Sequence, residues 1–207
     1  MSQRDLFQPS LLPSPAGPSA APFFASGYAY EADFLSAAEE AALIEQIQRL
    51  PLQEAQYKQY RAKRRVVSYG GRYDYNANQL NVAEPIPEFL HALRERAAAW
   101  AGQPAPQFTH ALIAEYSPGT QLGWHRDVPD FERVVGISLH GPARMRFRRY
   151  PPKPREPSLS LELAPRSIYR LEGEARWGWQ HSVPPTPGLR YSITFRTLRD
   201  ATTGSSI

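Results

Sequence analysis

The sequence predicts an α+β, mainly β chain: helices first, then an antiparallel barrel or double-sheet jelly roll. Two observations carry this. Two amphipathic segments precede residue 108, and the half that follows is a series of short runs, many alternating with period two and each bounded by Gly or Pro. No internal repeat competes with that reading, and serial short strands with turn signals suit a barrel or jelly roll.

Taken in order, residues 1–22 are rich in Pro, Ser and Ala without periodicity and read as a flexible tail. A helix is expected from Ser36 to Leu50. Ser36 and Glu39 have capping-box spacing, Leu43, Ile47 and Leu50 form an apolar stripe beside Ile44, and Pro51 stops it. A second helix is expected from Pro87 to Trp100, with Pro87 near its first turn and Phe89, Leu90, Leu93, Ala97 and Trp100 towards the core. Strand-like runs follow over 108–116, 120–127, 133–141, 143–150, 158–164, 166–173 and 189–198.

The chain has 207 residues, 42% hydrophobic and 21% charged, which suits one soluble domain with a real core. It holds no run of about 18 apolar residues and no secretory signal at its start, so no membrane partner and a cytoplasmic location are expected. Cysteine is absent, which excludes disulfides, thiolate metal sites and cysteine nucleophiles. Any transition metal must therefore rest on imidazole and carboxylate, ligands that suit iron, zinc, nickel or manganese. Net charge is +4 and the basic excess is clustered, over 57–73 and 143–155. Cations interleaved with rings suit a nucleic-acid surface, and they equally suit a solvated strand edge defended by charge.

Within the strand-rich half, His125 and Asp127 stand two residues apart, a spacing that puts both side chains on one side of a strand end. His181 lies several strands later. Two imidazoles and one carboxylate on one face make the facial triad of non-haem iron oxygenases, which leaves coordination positions open for a bidentate 2-oxo acid and dioxygen. Arg190 to Arg196 alternates as a strand: Tyr191, Ile193 and Phe195 face one way, Arg190, Ser192, Thr194 and Arg196 the other. Two arginines buried on one face are costly unless paired, so that face either meets water, as on an exposed edge strand, or binds an anion. A dicarboxylate fits, because guanidinium forks match carboxylates.

Together His125-x-Asp127, His181 and Arg190-x5-Arg196 resemble the AlkB family of 2-oxoglutarate-dependent dioxygenases. Glu115-Tyr116-Ser117-Pro118-Gly119 and Gly173-Glu174-Ala175-Arg176 support the resemblance, which spans Tyr28 to Arg199. It implies a double-stranded β-helix (a jelly-roll or cupin-like barrel) with N-terminal helices and a nucleotide-recognition lid. It also implies iron(II), 2-oxoglutarate and O2, with oxidative dealkylation of N-alkylated bases in DNA or RNA, a repair of alkylation damage that yields succinate, CO2 and aldehyde. Carried over, His125, Asp127 and His181 would ligate the metal. Tyr116, Arg190, Ser192 and Arg196 would bind the cosubstrate. The sequence departs from the family at Ala114 and Ser192, where relatives often carry Asn; Ser192 still offers one hydrogen bond and Ala114 none.

Residues 64–75 resemble the recognition lid, but Gly71 stands where relatives often place an aromatic. Tyr69, Tyr73 and Tyr75 are then candidate stacking rings, with Arg65, Arg72, Arg126 and Asp130 as further substrate contacts. The same segment also reads as a core strand pair. Expected boundaries are 23–107 for helices and lid, 108–200 for the catalytic core and 201–207 for a second tail, in a chain acting as a monomer. Alternatives that share the iron centre are a tRNA-modifying oxygenase and a hydroxylase or demethylase of a protein or small molecule; a cupin-like binding module is the non-enzymatic one. His91, His110 and His140 stand in no motif and read as structural or surface residues.

Overall fold

The computed structural model of the chain describes residues 25–57, 60–74, 77 and 79–199; the expected tails, 1–22 and 201–207, lie outside them. In chain order come β1 (Tyr28–Glu31), α1 (Ala37–Gln48), β2 (Gln53–Tyr57), β3 (Tyr60–Tyr69), β4 (Arg72–Asp74), β5 (Gln79–Asn81) and α2 (His91–Trp100). There follow β6 (Phe108–Tyr116), β7 (Leu122–His125), β8 (Phe131–Leu139), β9 (Ala143–Arg149), β10 (Leu159–Leu163), β11 (Ile168–Leu171), α3 (Gly173–Trp177), β12 (Trp179–Val183) and β13 (Arg190–Leu198).

The helices start where the sequence marks them. Ser36 accepts from the Glu39 amide at 3.2 Å while the Glu39 carboxylate accepts from the Ser36 amide at 2.7 Å, so both free ends of the first turn of α1 are closed. Pro87 leads into a 3₁₀ turn, Glu88–Leu90, which continues as α2. Leu43, Ile47, Leu90, Leu93 and Trp100 bury these helices against Ile113, Val135, Ile137, Ile193 and Phe195 of the larger sheet. Each such aliphatic or aromatic side chain contributes about 1.5–3 kcal/mol on burial.

That sheet has seven strands in the order β1-β11-β8-β13-β6-β3-β2, and a four-stranded sheet, β10-β9-β12-β7, faces it. Val134, Tyr169 and Leu171 of the first meet Met145, Phe147, Leu163, Trp179 and Val183 of the second in a second core. The arrangement is a double-stranded β-helix with helices on its outer side. β4 and β5 form a separate two-stranded ribbon.

Three placements differ from expectation. β1 pairs with β11 and β3 with β6, so the large sheet takes strands from both sides of residue 107. β12, which carries His181, and the short α3 were not among the expected elements. The run 120–127 is strand only over β7, so Asp127 lies in the loop beyond it and owes its position to that loop rather than to strand alternation. The polar-faced strand is resolved in one direction: β13 is bonded to β6 on one side and β8 on the other, and all but its last residue are buried. It is no edge strand.

Gly136 connects fold to site. It sits opposite Tyr169 across β8 and β11, and a Cβ there would lie 2.3 Å from the Tyr169 ring, which is itself buried. The bare backbone lets that ring cross the sheet. Gly136→Ala should therefore lower unfolding free energy by about 1–3 kcal/mol, as overpacking does, measured by urea denaturation; unchanged stability would show that Tyr169 has room to move.

Candidate active site

His125 ends β7 and faces His181 of β12, its direct partner across the ladder. Their rings lie 4.3 Å apart at 57°. With Asp127 they form a group whose ligand atoms all fall within 4.8 Å of one another. The His125 Nδ1 lies 2.9 Å from the Gly123 carbonyl, which assigns the ring proton to Nδ1 and turns the bare Nε2 towards Asp127, 4.0 Å from its Oδ1. Burial, followed by the neighbouring His125, pushes the His181 imidazole down to about 3, and burial likewise lowers His125. Both rings are neutral lone-pair donors at physiological pH. Asp127 is the reverse case. Burial favours its neutral form, but Arg196, His181 and Arg176 outweigh that and hold the carboxyl below the usual carboxylate range.

The loop that carries Asp127 is clamped from two sides. Arg196 reaches both carboxylate oxygens, Nε to Oδ2 at 3.2 Å and Nη2 to Oδ1 at 3.4 Å. Arg176, delivered by α3 and only 3% exposed, donates Nη2 to the carbonyls of Asp127, Val128 and Phe131 at 3.0, 2.8 and 3.0 Å. Behind Arg196 stands His110, its register partner on β6, with Nδ1 3.4 Å from Nη1 and the ring 4.6 Å from that of Phe131. Burial, then the charge of Arg196, pushes His110 down to about 3, so it is a neutral acceptor.

At the other end of β13, Arg190 is 2% exposed. Its Nε donates to Ser138 at 3.1 Å and its guanidinium lies 4.9 Å from the centre of the Tyr116 ring. No carboxylate stands within ion-pair distance of it among the described residues. The inward-facing Arg64 of β3 brings Nη1 to the Tyr116 hydroxyl at 3.4 Å. Burial raises the Tyr116 phenol, but Arg64 and Arg190 prevail and lower it. Tyr169, pushed up to about 12 by burial, completes this wall. Ser192 is buried on the same face, between Ser138 and Ala114. The interior thus concentrates guanidinium groups around one carboxylate, an excess of charge that asks for an anion.

The lid residues divide. Arg65, expected at the substrate, is engaged bidentately with Glu115 at 2.8 and 2.7 Å on the helix side of the sheet. Tyr69 shares that side and packs against the helix core. Strand alternation explains both: only even-numbered residues of this part of β3 face inward, so Arg64 points to the site and Arg65 does not. Arg72 and Tyr73 fall on β4, and Tyr75 lies outside the described residues. Gly71 is buried beneath Leu80, whose Cδ1 would lie 3.0 Å from a Cβ there. Arg126 stacks on Tyr150 at 3.7 Å and donates to the Trp177 carbonyl, and Asp130 sits half-buried in the turn after the Asp127 loop. His110, Ser138, Arg64 and Tyr169 were not found from sequence. Their one available signal was parity with Tyr116 and Arg196 on paired strands, and the pairing had to be known first.

The chain matches the model of the 2OG-Fe(II) oxygenase superfamily over residues 27–196. It is 29% identical over 175 residues to the alkylated DNA repair protein ALKBH8 homolog of Arabidopsis thaliana, covering 73% of this chain and 49% of that one. It is 34% identical over 122 residues to the alpha-ketoglutarate-dependent dioxygenase AlkB of Escherichia coli strain K12, covering 54% and 55%. The chain thus spans about half the length of these curated relatives. The solved structure of OsALKBH1 superposes with a TM-score of 0.67 at 15% identity, covering 84% of this chain and all of that one, a likeness of fold. No helix among the described residues is long and apolar enough to cross a membrane.

His110 yields a pH test. Unfolded, its imidazole takes a proton near the ordinary value of about 6.5; folded, it does so only near 3. Between those values the unfolded chain binds more protons, so stability falls as pH drops through the window. His110→Gln keeps an acceptor for Arg196 and cannot be protonated, so metal-free variant protein should lose at least about 1 kcal/mol less than the parent between pH 6.5 and 4. Equal losses in denaturant titrations would show that His110 does not set this pH dependence.

Proposed function

Because this chain belongs to the 2OG-Fe(II) oxygenase superfamily and, within it, to the AlkB family, we propose that it is a dioxygenase that removes alkyl groups from the nucleobases of DNA or RNA. The observation that carries the cosubstrate half of this reading is Arg190. It is a buried cation beside a phenol and a hydroxyl, with no carboxylate of its own among the described residues. The donor set fits iron(II) as well: two neutral imidazoles and an ionised carboxylate, close enough to share one ion.

With iron, 2-oxoglutarate and O2 bound, the centre supplies oxidation of the alkyl carbon, the diacid leaving as succinate and CO2 and the hydroxylated group as aldehyde. The chain's own residues orient and shield. His125, Asp127 and His181 would hold the metal, and Arg196 and Arg176 keep Asp127 ionised and its loop in place. Arg190 would take the far carboxylate of the diacid, with Tyr116 and Ser192 donating beside it and Arg64 reinforcing the positive field. Ser192 and Arg64 offset Ala114, which donates nothing. Arg126, Asp130 and the segment 72–75 are the remaining candidates for the base and its flanking phosphates. The protein would act as a monomer in the cytoplasm.

Incubation with iron(II), 2-oxoglutarate and oligonucleotides carrying 1-methyladenine, 3-methylcytosine or etheno adducts should release succinate and restore the base by mass spectrometry. Asp127→Ala should abolish turnover, and Arg176→Met, which removes the donor to the loop carbonyls and a cation near Asp127, should lower it roughly 10–100-fold. Succinate formed only with a peptide, metabolite or intact tRNA would move the substrate to that class. No succinate with any of them would reject the enzyme.

A further inference from the structure

The basic run 143–155 suits either a nucleic-acid surface or a defended sheet edge, and the topology separates the two. β9 is interior to its sheet, bonded to β10 on one side and β12 on the other. An interior strand has no free edge to protect. Its alternation is strict: Ala143, Met145 and Phe147 are buried between the sheets, and Arg144, Arg146 and Arg148 project from the outer face.

These arginines are not neutralised alike. Arg144 faces Glu162 across the ladder and bonds it at 3.2 Å. Arg146 has Ser160 and Ser182 as its cross-strand neighbours, and Arg148 has Gln180. Each uses Nε on a neutral oxygen, Arg146 on Ser182 at 3.2 Å and Arg148 on Gln180 at 2.8 Å. Both guanidinium groups lie over one ring, Trp124 of β7, at 5.1 and 4.5 Å from its centre. Neither has a carboxylate partner among the described residues. A tryptophan platform that fixes two half-buried guanidinium planes, with their Nη edges uncommitted, is a prepared site for oxygens of negative charge. Arg126, one residue on from His125, stacks on Tyr150 immediately beyond β9 and continues the positive strip towards the metal loop.

We propose that the outer face of the four-stranded sheet, centred on Arg146, Arg148 and Trp124, is a second contact surface for the nucleic-acid backbone, distinct from the segment 64–75. It rests on the nucleic-acid reading above. Two guanidinium groups from alternate residues of one strand, both held over the Trp124 ring, suit successive phosphates of one strand. They would hold the strand flanking the target nucleotide, adding affinity for long substrates without touching the reacting base.

The test is the salt dependence of binding. Metal-loaded full-length protein is titrated with a single strand of about 20 nucleotides carrying one central 3-methylcytosine, over a range of salt, and each neutralised phosphate contributes about 0.7 to the slope of log K against log salt. Arg146→Gln/Arg148→Gln should reduce that slope by about 1.4 and weaken low-salt binding roughly tenfold or more. Arg146→Lys/Arg148→Lys should keep most of it, which separates charge from packing, and each single Gln variant should show about half the effect. Demethylation of a trinucleotide, which carries little flanking strand, should be unchanged in all variants. A parental slope retained by the Gln pair, with turnover intact, overturns the surface and leaves the enzymatic reading standing. A parent that neither binds nor demethylates the strand overturns both.

Discussion

Burying a guanidinium without a counter-charge is costly, and Arg190 is held in that condition. It belongs to the central strand of the larger sheet, flanked by β6 and β8, so it cannot swing to solvent without breaking the core of Ile193 and Phe195 on the reverse face. Its neighbours, Ser138 and Tyr116, are hydroxyl groups that orient it and bring no carboxylate to balance it. Arg196, six residues along the same face, has its carboxylate in Asp127. The strand therefore presents two guanidinium groups and the protein answers one. A dicarboxylate whose other end reached the metal would answer the second. The ligand would complete the charge balance of the fold as well as feeding the reaction.

Much of the rest follows from keeping that face in register with His125, Asp127 and His181. Asp127 lies beyond a strand end, where the backbone alone does not fix it, and Arg196 from below and Arg176 from α3 supply what the ladder does not. His110 in turn limits where Arg196 can go. Burial makes the two imidazoles neutral, whereas Asp127 stays ionised because the neighbouring cations outweigh the effect of burial. Gly136 admits Tyr169 across the sheet to close the wall.

What the sequence shows directly is what local spacing controls. The capping box at Ser36, the lead-in at Pro87 and the alternation over 190–196 are decided within a few residues, and each appears in the fold where the pattern places it. The convergence of His125, Asp127 and His181 needed a resemblance, because no spacing rule joins residue 181 to residue 125. What escaped depends on which strands pair. Arg64 and Arg65 are indistinguishable as letters; only the pairing of β3 with β6 decides that the first faces Tyr116 and the second Glu115. Tyr69 changes from stacking ring to core packing for the same reason. β9 could not be told from an edge strand until β12, a strand absent from the periodicity, was found beside it.

The most direct measurement concerns Arg190. Manganese-loaded protein under anaerobic conditions is titrated calorimetrically with 2-oxoglutarate and with 2-oxobutyrate, which has the same metal-facing head and no far carboxylate. The parent should prefer the diacid by about 2–3 kcal/mol, the scale of a charge-assisted hydrogen-bonded pair, and Arg190→Met should erase the preference while binding the monoacid as before. An Arg190→Met protein that still distinguishes the two acids as the parent does would contradict this role of Arg190.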